Sequence, residues 1–114
     1  MKKKYPVVAL IGDLRYKEKF LEEADLVTFY RKELVLLPNL NNGKSIPELS
    51  DEDIEKSIEM DKQRIDMSDK ILVLVYEENE IDKNTSILIA YAKKKRKKIN
   101  YYEIKKSRYY SIKN

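Results

Sequence analysis

Ile71-Leu72-Val73-Leu74-Val75 is an unbroken aliphatic run in a chain that is 39% charged, and it limits the fold more than any other stretch. A strand that shows only apolar side chains on both sides must be covered on both faces, as in the parallel sheets of α/β proteins. Ile65-Asp66-Met67-Ser68-Asp69, just before it, reads as a helix end followed by a polar turn. After it comes an acidic loop, Glu77 to Lys83, and then Thr85-Ser86-Ile87-Leu88-Ile89-Ala90-Tyr91-Ala92, which opens a helix with hydroxyls at its start. Strand, loop and helix N-terminus in that order form the crevice in which open α/β sheets bind ligands.

The rest of the chain repeats the alternation. Tyr5-Pro6-Val7-Val8-Ala9-Leu10-Ile11 is a second buried run, ended by Gly12-Asp13. Tyr16, Phe20, Ala24 and Val27 then fall at spacings of four, four and three, which is one stripe of a helix. Leu34-Val35-Leu36-Leu37 is a short strand stopped by Pro38, and Asn39 to Pro47 has loop composition. Ser50 followed by Asp51-Glu52-Asp53 starts a helix, with a capping hydroxyl and carboxylates in the first turn, and the helix runs to about Ser68. Lys70 to Tyr76 is the third strand. Asn84 or Thr85 caps the helix that ends in the lysine run, and Lys98-Ile99-Asn100-Tyr101-Tyr102 alternates as a strand nearer an edge. The last ten residues are basic and aromatic with no clear period. The chain therefore reads as one domain with a core over about residues 5–102 and a short tail. The expected fold class is α/β, a Rossmann-like or flavodoxin-like three-layer sandwich with a four- to five-stranded, mostly parallel sheet.

With 114 residues, 42% of them hydrophobic, the chain has apolar material for a single core. It has no cysteine and no histidine, so disulfides, thiol catalysis and the usual zinc sites are excluded, no metal or cofactor is implied, and acid-base work would fall to carboxylates, tyrosines or lysines. No stretch has the length of a membrane span. The basic start Met1-Lys2-Lys3-Lys4 precedes an apolar run that Gly12-Asp13 ends too early for a signal peptide. A cytoplasmic location is expected. The net charge is +4, and much of it lies in Lys93-Lys94-Lys95-Arg96-Lys97-Lys98. Without interleaved aromatics or a nucleic-acid motif, this run reads as cations opposing the dipole of a helix end, and nucleic acid is not an expected partner.

Several residues stand out as candidates for a site. Asp61 lies on the stripe marked by Ile54, Ile58 and Ile65. A carboxylate there either faces a cavity, where it would bond a ligand, or closes a salt bridge at the edge of the stripe. In Gly12-Asp13-Leu14-Arg15-Tyr16 the glycine allows a tight turn and close approach, and Arg15 is able to clamp a phosphate; a turn with a solvated arginine is the plainer reading. Asp66 and Asp69 read as braces of the turn before the third strand. Glu77, Glu78, Glu80 and Asp82 read as a solvated acidic loop at the ligand edge.

These residues resemble the nucleoside 2-deoxyribosyltransferase-like family over roughly residues 5–102. Gly12-Asp13-Leu14-Arg15-Tyr16 stands where members carry a Gly-Ser-Thr-Arg-Phe type of segment. Ile65-Asp66-Met67-Ser68-Asp69 matches the segment before the third strand, and Asn84-Thr85 with Ile87-Leu88-Ile89-Ala90-Tyr91-Ala92 matches the loop end and the following helix. The resemblance implies a Rossmann-like sheet and cleavage of an N-glycosidic bond in nucleosides or nucleotides. It puts the nucleophilic glutamate three residues before Tyr91, where this chain has Leu88, and it puts a base-binding aspartate at Asp61. It also replaces the family's Gly-Glu with Asp82-Lys83. An aliphatic side chain can neither attack the anomeric carbon nor stabilise an oxocarbenium-like charge.

The first reading is thus a divergent, non-catalytic member that binds a nucleoside or nucleotide to sense or sequester it, through Gly12, Asp13, Arg15, Tyr16, Asp61, Asn84, Thr85 and Leu88, with no catalytic residue. The second is an enzyme in which Glu78, Glu80 or Asp82 replaces the lost glutamate and Asp61 is the general acid. The third is an interaction module whose cleft is closed by Leu88, Tyr91 and Tyr16. The apolar character of the Leu88 helix suggests a homo-oligomer.

Overall fold

The structure, a computed structural model, describes residues 4–40 and 49–112. The expected basic start, all but the first two residues of the expected 39–47 loop, and the last two residues of the tail lie outside it, apart from Lys4. The elements in chain order are β1 (Val7–Gly12), a single 3-10 turn (Leu14–Tyr16), α1 (Lys17–Phe29), β2 (Leu34–Leu36), α2 (Asp51–Met67), β3 (Lys70–Val75), α3 (Lys83–Lys94), β4 (Lys98–Glu103) and β5 (Arg108–Tyr110). They form one sheet in the order β2-β1-β3-β4-β5. The first four strands are parallel, and β5 returns antiparallel to β4. This is the mostly parallel α/β architecture that the aliphatic runs imply.

Alternation along β1 and β3 divides the core into two layers. Val8, Leu10, Leu72 and Leu74 pack with Phe20 and Val27 of α1 on one face. Ala9, Ile11, Ile71, Val73 and Val75 pack with Ile65 of α2 and Leu88, Ile89 and Ala92 of α3 on the other. Both central strands are thus covered twice, which is why neither carries a polar side chain beyond its first residue. At the opposite end of the strands, Asp69 accepts the Val7 N–H at 2.7 Å and braces the start of β1, as its position before β3 implies. Ser50 caps α2 as expected, accepting from the Asp53 N–H at 3.1 Å.

Two expectations are corrected. β4 lies nearer an edge, as expected, but the segment read as a tail supplies β5 as the edge strand beside it. Tyr101 stacks on Tyr110 with centroids 5.0 Å apart, and Tyr102 meets Tyr109 at 4.8 Å. A three-residue strand is too short to set a period, so the sequence hid it. The cap of α3 is neither Asn84 nor Thr85 but Asp82, two residues before the first and three before the second.

The tyrosine edge also holds a buried polar couple. Glu23 of α1 is 2% exposed, and the Tyr109 hydroxyl donates to its carboxylate at 2.7–2.8 Å. Burial raises the Glu23 pKa, against the lowering effect of the Tyr109 bond. The bond fastens α1 to the far edge of the sheet.

Candidate functional site

In the order β2-β1-β3-β4-β5, the connections leave β1 and β3 on opposite sides, so the chain parts at the carboxyl ends of these two neighbours. Gly12 closes β1 there with φ +151°, and a Cβ on it would lie 2.3 Å from the Leu74 carbonyl oxygen. Glycine is required, but for the approach of strand β3 and not, as its place in the sequence suggested, for that of a ligand. Asp13 follows as the cap of the 3-10 turn. Its carboxylate accepts from the Arg15 N–H at 3.0 Å, and from Arg15 Nε and Nη2 at 2.8 and 2.5 Å. Burial opposes the charge on Asp13, but the bonds and charge of Arg15 outweigh it and hold the carboxyl below the usual carboxylate range.

The turn delivers Tyr16 to the end of β3, where its ring stacks on Tyr76 at 5.7 Å with planes 14° apart. The Arg15 guanidinium lies 5.6 Å from the Tyr16 ring. Asp13, Arg15, Tyr16, Tyr76, Glu80, Ile81 and Asp82 together line an open cavity of about 210 Å³. Its wall holds three carboxylates and one guanidinium, and Asp13 already engages that guanidinium. The N-terminus of α3 offers no compensating positive end. Asp82 accepts from the Thr85 N–H at 3.1 Å and from Thr85 Oγ1 at 2.6 Å, so the first turn is closed by its own carboxylate. A crevice of this charge favours a neutral ligand rich in hydroxyl donors over one bearing a phosphate.

The sequence-derived candidates divide accordingly. Asp13, Arg15 and Tyr16 line the cavity, and Gly12, just before them, lets β1 end against β3 without lining it. Thr85 is buried under its bond to Asp82, and Asn84, half-buried beside it, is not part of the lining. Leu88 is 5% exposed and packs in the core with Ile65 and Val75, so it is not the apolar wall of this cavity. Asp61 is buried and accepts from Arg64 Nη1 at 2.7 Å, which is the salt bridge of its two readings. Burial raises its pKa, against the attraction of Arg64. Among the loop acids, Glu78 turns away to Arg108, whereas Glu80 and Asp82 face the cavity. Tyr91 donates to Asp66 on α2 and takes no part in closing the cleft. The sequence did not single out Tyr76 or Ile81. Tyr76 was legible as the aromatic residue that ends the β3 run at the same sheet edge as Tyr16.

Among the described residues, no group of acidic side chains is gathered so as to hold a metal ion, and no helix is long and apolar enough to cross a membrane.

No family model and no curated protein matches the sequence. Solved structures do match the fold. One is a 2-deoxyribosyltransferase from the psychrotolerant bacterium Bacillus psychrosaccharolyticus, described as a biocatalyst for nucleoside synthesis; it aligns with a TM-score of 0.64 and 16% identity over 95% of this chain and 77% of that one. Another is the 2-deoxyribosyltransferase of Leishmania mexicana, with a TM-score of 0.61 and 13% identity over 86% of this chain and 64% of that one. At these identities the likeness is one of fold. This chain spans less than two thirds of the Leishmania enzyme's length.

Proposed function

We propose that the chain binds a nucleoside in the crevice between β1 and β3 and holds it without cleaving it, as a sensor or a sequestering protein. The observation that carries this reading is the cavity at the switch point, lined by the stacked Tyr16 and Tyr76 rings together with carboxylates. A flat base would stack against the Tyr16–Tyr76 wall, and sugar hydroxyls would donate to Glu80 or Asp82. The fold shared with enzymes that act on nucleosides supports it. So does Leu88, which the family resemblance places at the nucleophile and which lies in the core. The charge of the wall narrows the ligand class from nucleosides and nucleotides alike to uncharged nucleosides. Isothermal titration checks this. Neutral nucleosides should bind, their 5′-monophosphates should bind at least tenfold more weakly, and Tyr76→Ala should weaken both. Absence of binding by any nucleoside would end the proposal.

One observation favours the enzymatic alternative. Glu80 lines the cavity and has no ion pair among the described residues. A retaining mechanism would need a second carboxyl about 5 Å from it, and Asp13 and Asp82 share its cavity. Asp61, outside that lining, is replaced by these two as the candidate acid. Release of free base that disappears in Glu80→Gln would establish this alternative over the first.

A homo-oligomer stays a proposal, on a new footing. Leu88, Ile89 and Ala92 of α3 face the core, so the apolar character of that helix no longer argues for a partner. Leu26 and Phe29 of α1, with Tyr30 at its end, are exposed apolar side chains that a second copy would cover. Mass measurement in solution tests it.

A further inference from the structure

A second cavity, of about 280 Å³, lies at the other end of the sheet and is lined by Lys93, Arg96, Lys97, Ile99, Tyr101 and Ile112. Its lining carries three cations and no carboxylate. Ile99 and Ile112 flank it, and Tyr101, stacked on Tyr110, gives it a rigid aromatic floor.

The cations are more than a helix end requires. Arg96 N–H donates to the Lys93 carbonyl and Lys97 N–H to the Ala92 carbonyl, both at 3.0 Å. This pair of bonds satisfies the last carbonyls of α3 through the main chain. The motif places its left-handed residue at Arg96, φ +59°, where glycine is the usual choice because it carries no Cβ. The chain holds an arginine at that strained position, directed to the same cavity as Lys93 and Lys97. Among the described residues no carboxylate pairs with Lys93 or Arg96. The Lys97 ammonium is held by the Ser68 carbonyl at 2.6 Å and approached by that of Asp66 at 3.5 Å. An ammonium has three donors, so these two carbonyls leave one for a ligand in the cavity that Lys97 lines.

We infer that this cavity is a binding site for a small phosphate-bearing ligand with a flat apolar body. The phosphate would bridge Lys93, Arg96 and Lys97, where the guanidinium fork and the ammonium protons match its oxygens. The apolar body would rest between Ile99, Ile112 and the Tyr101 ring. The site is independent of the nucleoside crevice, since the two have no lining residue in common.

Phenyl phosphate is the minimal probe. In amide-resolved NMR titration of the full chain it should shift Arg96, Lys97, Ile99 and Ile112, and phenol at the same concentration should not. The double variant Lys93→Gln/Arg96→Gln, both surface positions at a helix end, should weaken phenyl phosphate at least tenfold, with unchanged thermal unfolding and unchanged nucleoside binding in the crevice. Equal affinity in the double variant, equal shifts from phenol, or shifts confined to residues 13–16 and 76–82 would each overturn the inference. The last outcome would leave the crevice standing, and loss of crevice binding alone would leave this site standing.

Discussion

The two ends of the sheet hold cavities of comparable size and opposite charge. At the carboxyl ends of β1 and β3, three acids face one arginine that is already paired. At the amino end of β4, three cations surround an aliphatic and aromatic floor. The same helix separates them. α3 begins with Asp82 as its cap beside the first cavity and ends with Lys93 and Arg96 beside the second. An acid at the N-terminus and bases at the C-terminus are what the helix dipole favours in any case, so its two ends are polarised before any ligand is considered. The contrast teaches that charge placed for helix stability also gives the two ends of one sheet opposite electrostatic character.

The most severe way to break this contrast is to attack the helix that joins the ends. Leu88→Glu would bury an unpaired carboxylate, and it should cost about 5 kcal/mol or more and abolish both sites with the fold. Leu88→Ala, leaving only a cavity, should cost about 2–5 kcal/mol. Chemical denaturation of the two variants compares them directly. Glycosidase activity gained by a folded Leu88→Glu protein would contradict the placement of Leu88 in the core. Gly12→Ala comes next. The Cβ meets the Leu74 carbonyl, so a loss of about 3 kcal/mol is expected together with loss of nucleoside binding, while phenyl phosphate binding survives.

Tyr109→Phe lies at neither end and sharpens the contrast by leaving both cavities alone. It strips the buried Glu23 carboxylate of its donor and should cost about 2 kcal/mol by denaturation, with both affinities unchanged. The tyrosine edge should also respond to alkali. Burial, and then the nearby carboxylates, push Tyr110 up to about 12, and burial with the Glu23 bond raises Tyr109 further. Above pH 10 the unfolded chain therefore holds fewer protons than the folded one. Stability should be full below about pH 10 and fall as pH rises through the folded values, a decline that unfolding curves across that range would detect. The smallest effect is expected at Arg15, whose own side chain is largely solvated. Arg15→Gln should change stability by no more than about 0.5 kcal/mol and should further weaken any monophosphate relative to its nucleoside.

The central layers of the fold were legible because their signals are collective. Val8 to Ile11 and Ile71 to Val75 each repeat the same apolar demand over several residues, and Phe20 and Val27 fix the face of α1. What was not legible depends on single side chains meeting across long separations. β5 reveals itself only when Tyr109 and Tyr110 are set against Tyr102 and Tyr101. Asp82 and Thr85 are both good caps by type, and only coordinates decide that the aspartate caps and the threonine hydroxyl donates to it. Around the cavity, Asp13, Arg15 and Tyr16 were legible from one turn. Helix phasing placed Asp61 on the buried stripe but could not tell its partner, and the partner is Arg64. Leu88 was set in the site by resemblance to a family, whereas its contacts follow from the inward face of α3.

The link between Glu23 and Tyr109 spans 86 positions. A ribosome delivers the first helix long before the last strand, so for most of synthesis Glu23 has no hydroxyl waiting for it, and water remains its best companion. Phe20 and Val27 have their partners on β1 and β3 well before that, so this bond is a late addition to a helix already seated by its apolar face. A nascent chain halted shortly before Arg108 would hold its first helix by apolar contacts alone, with the Glu23 carboxylate still lacking its donor.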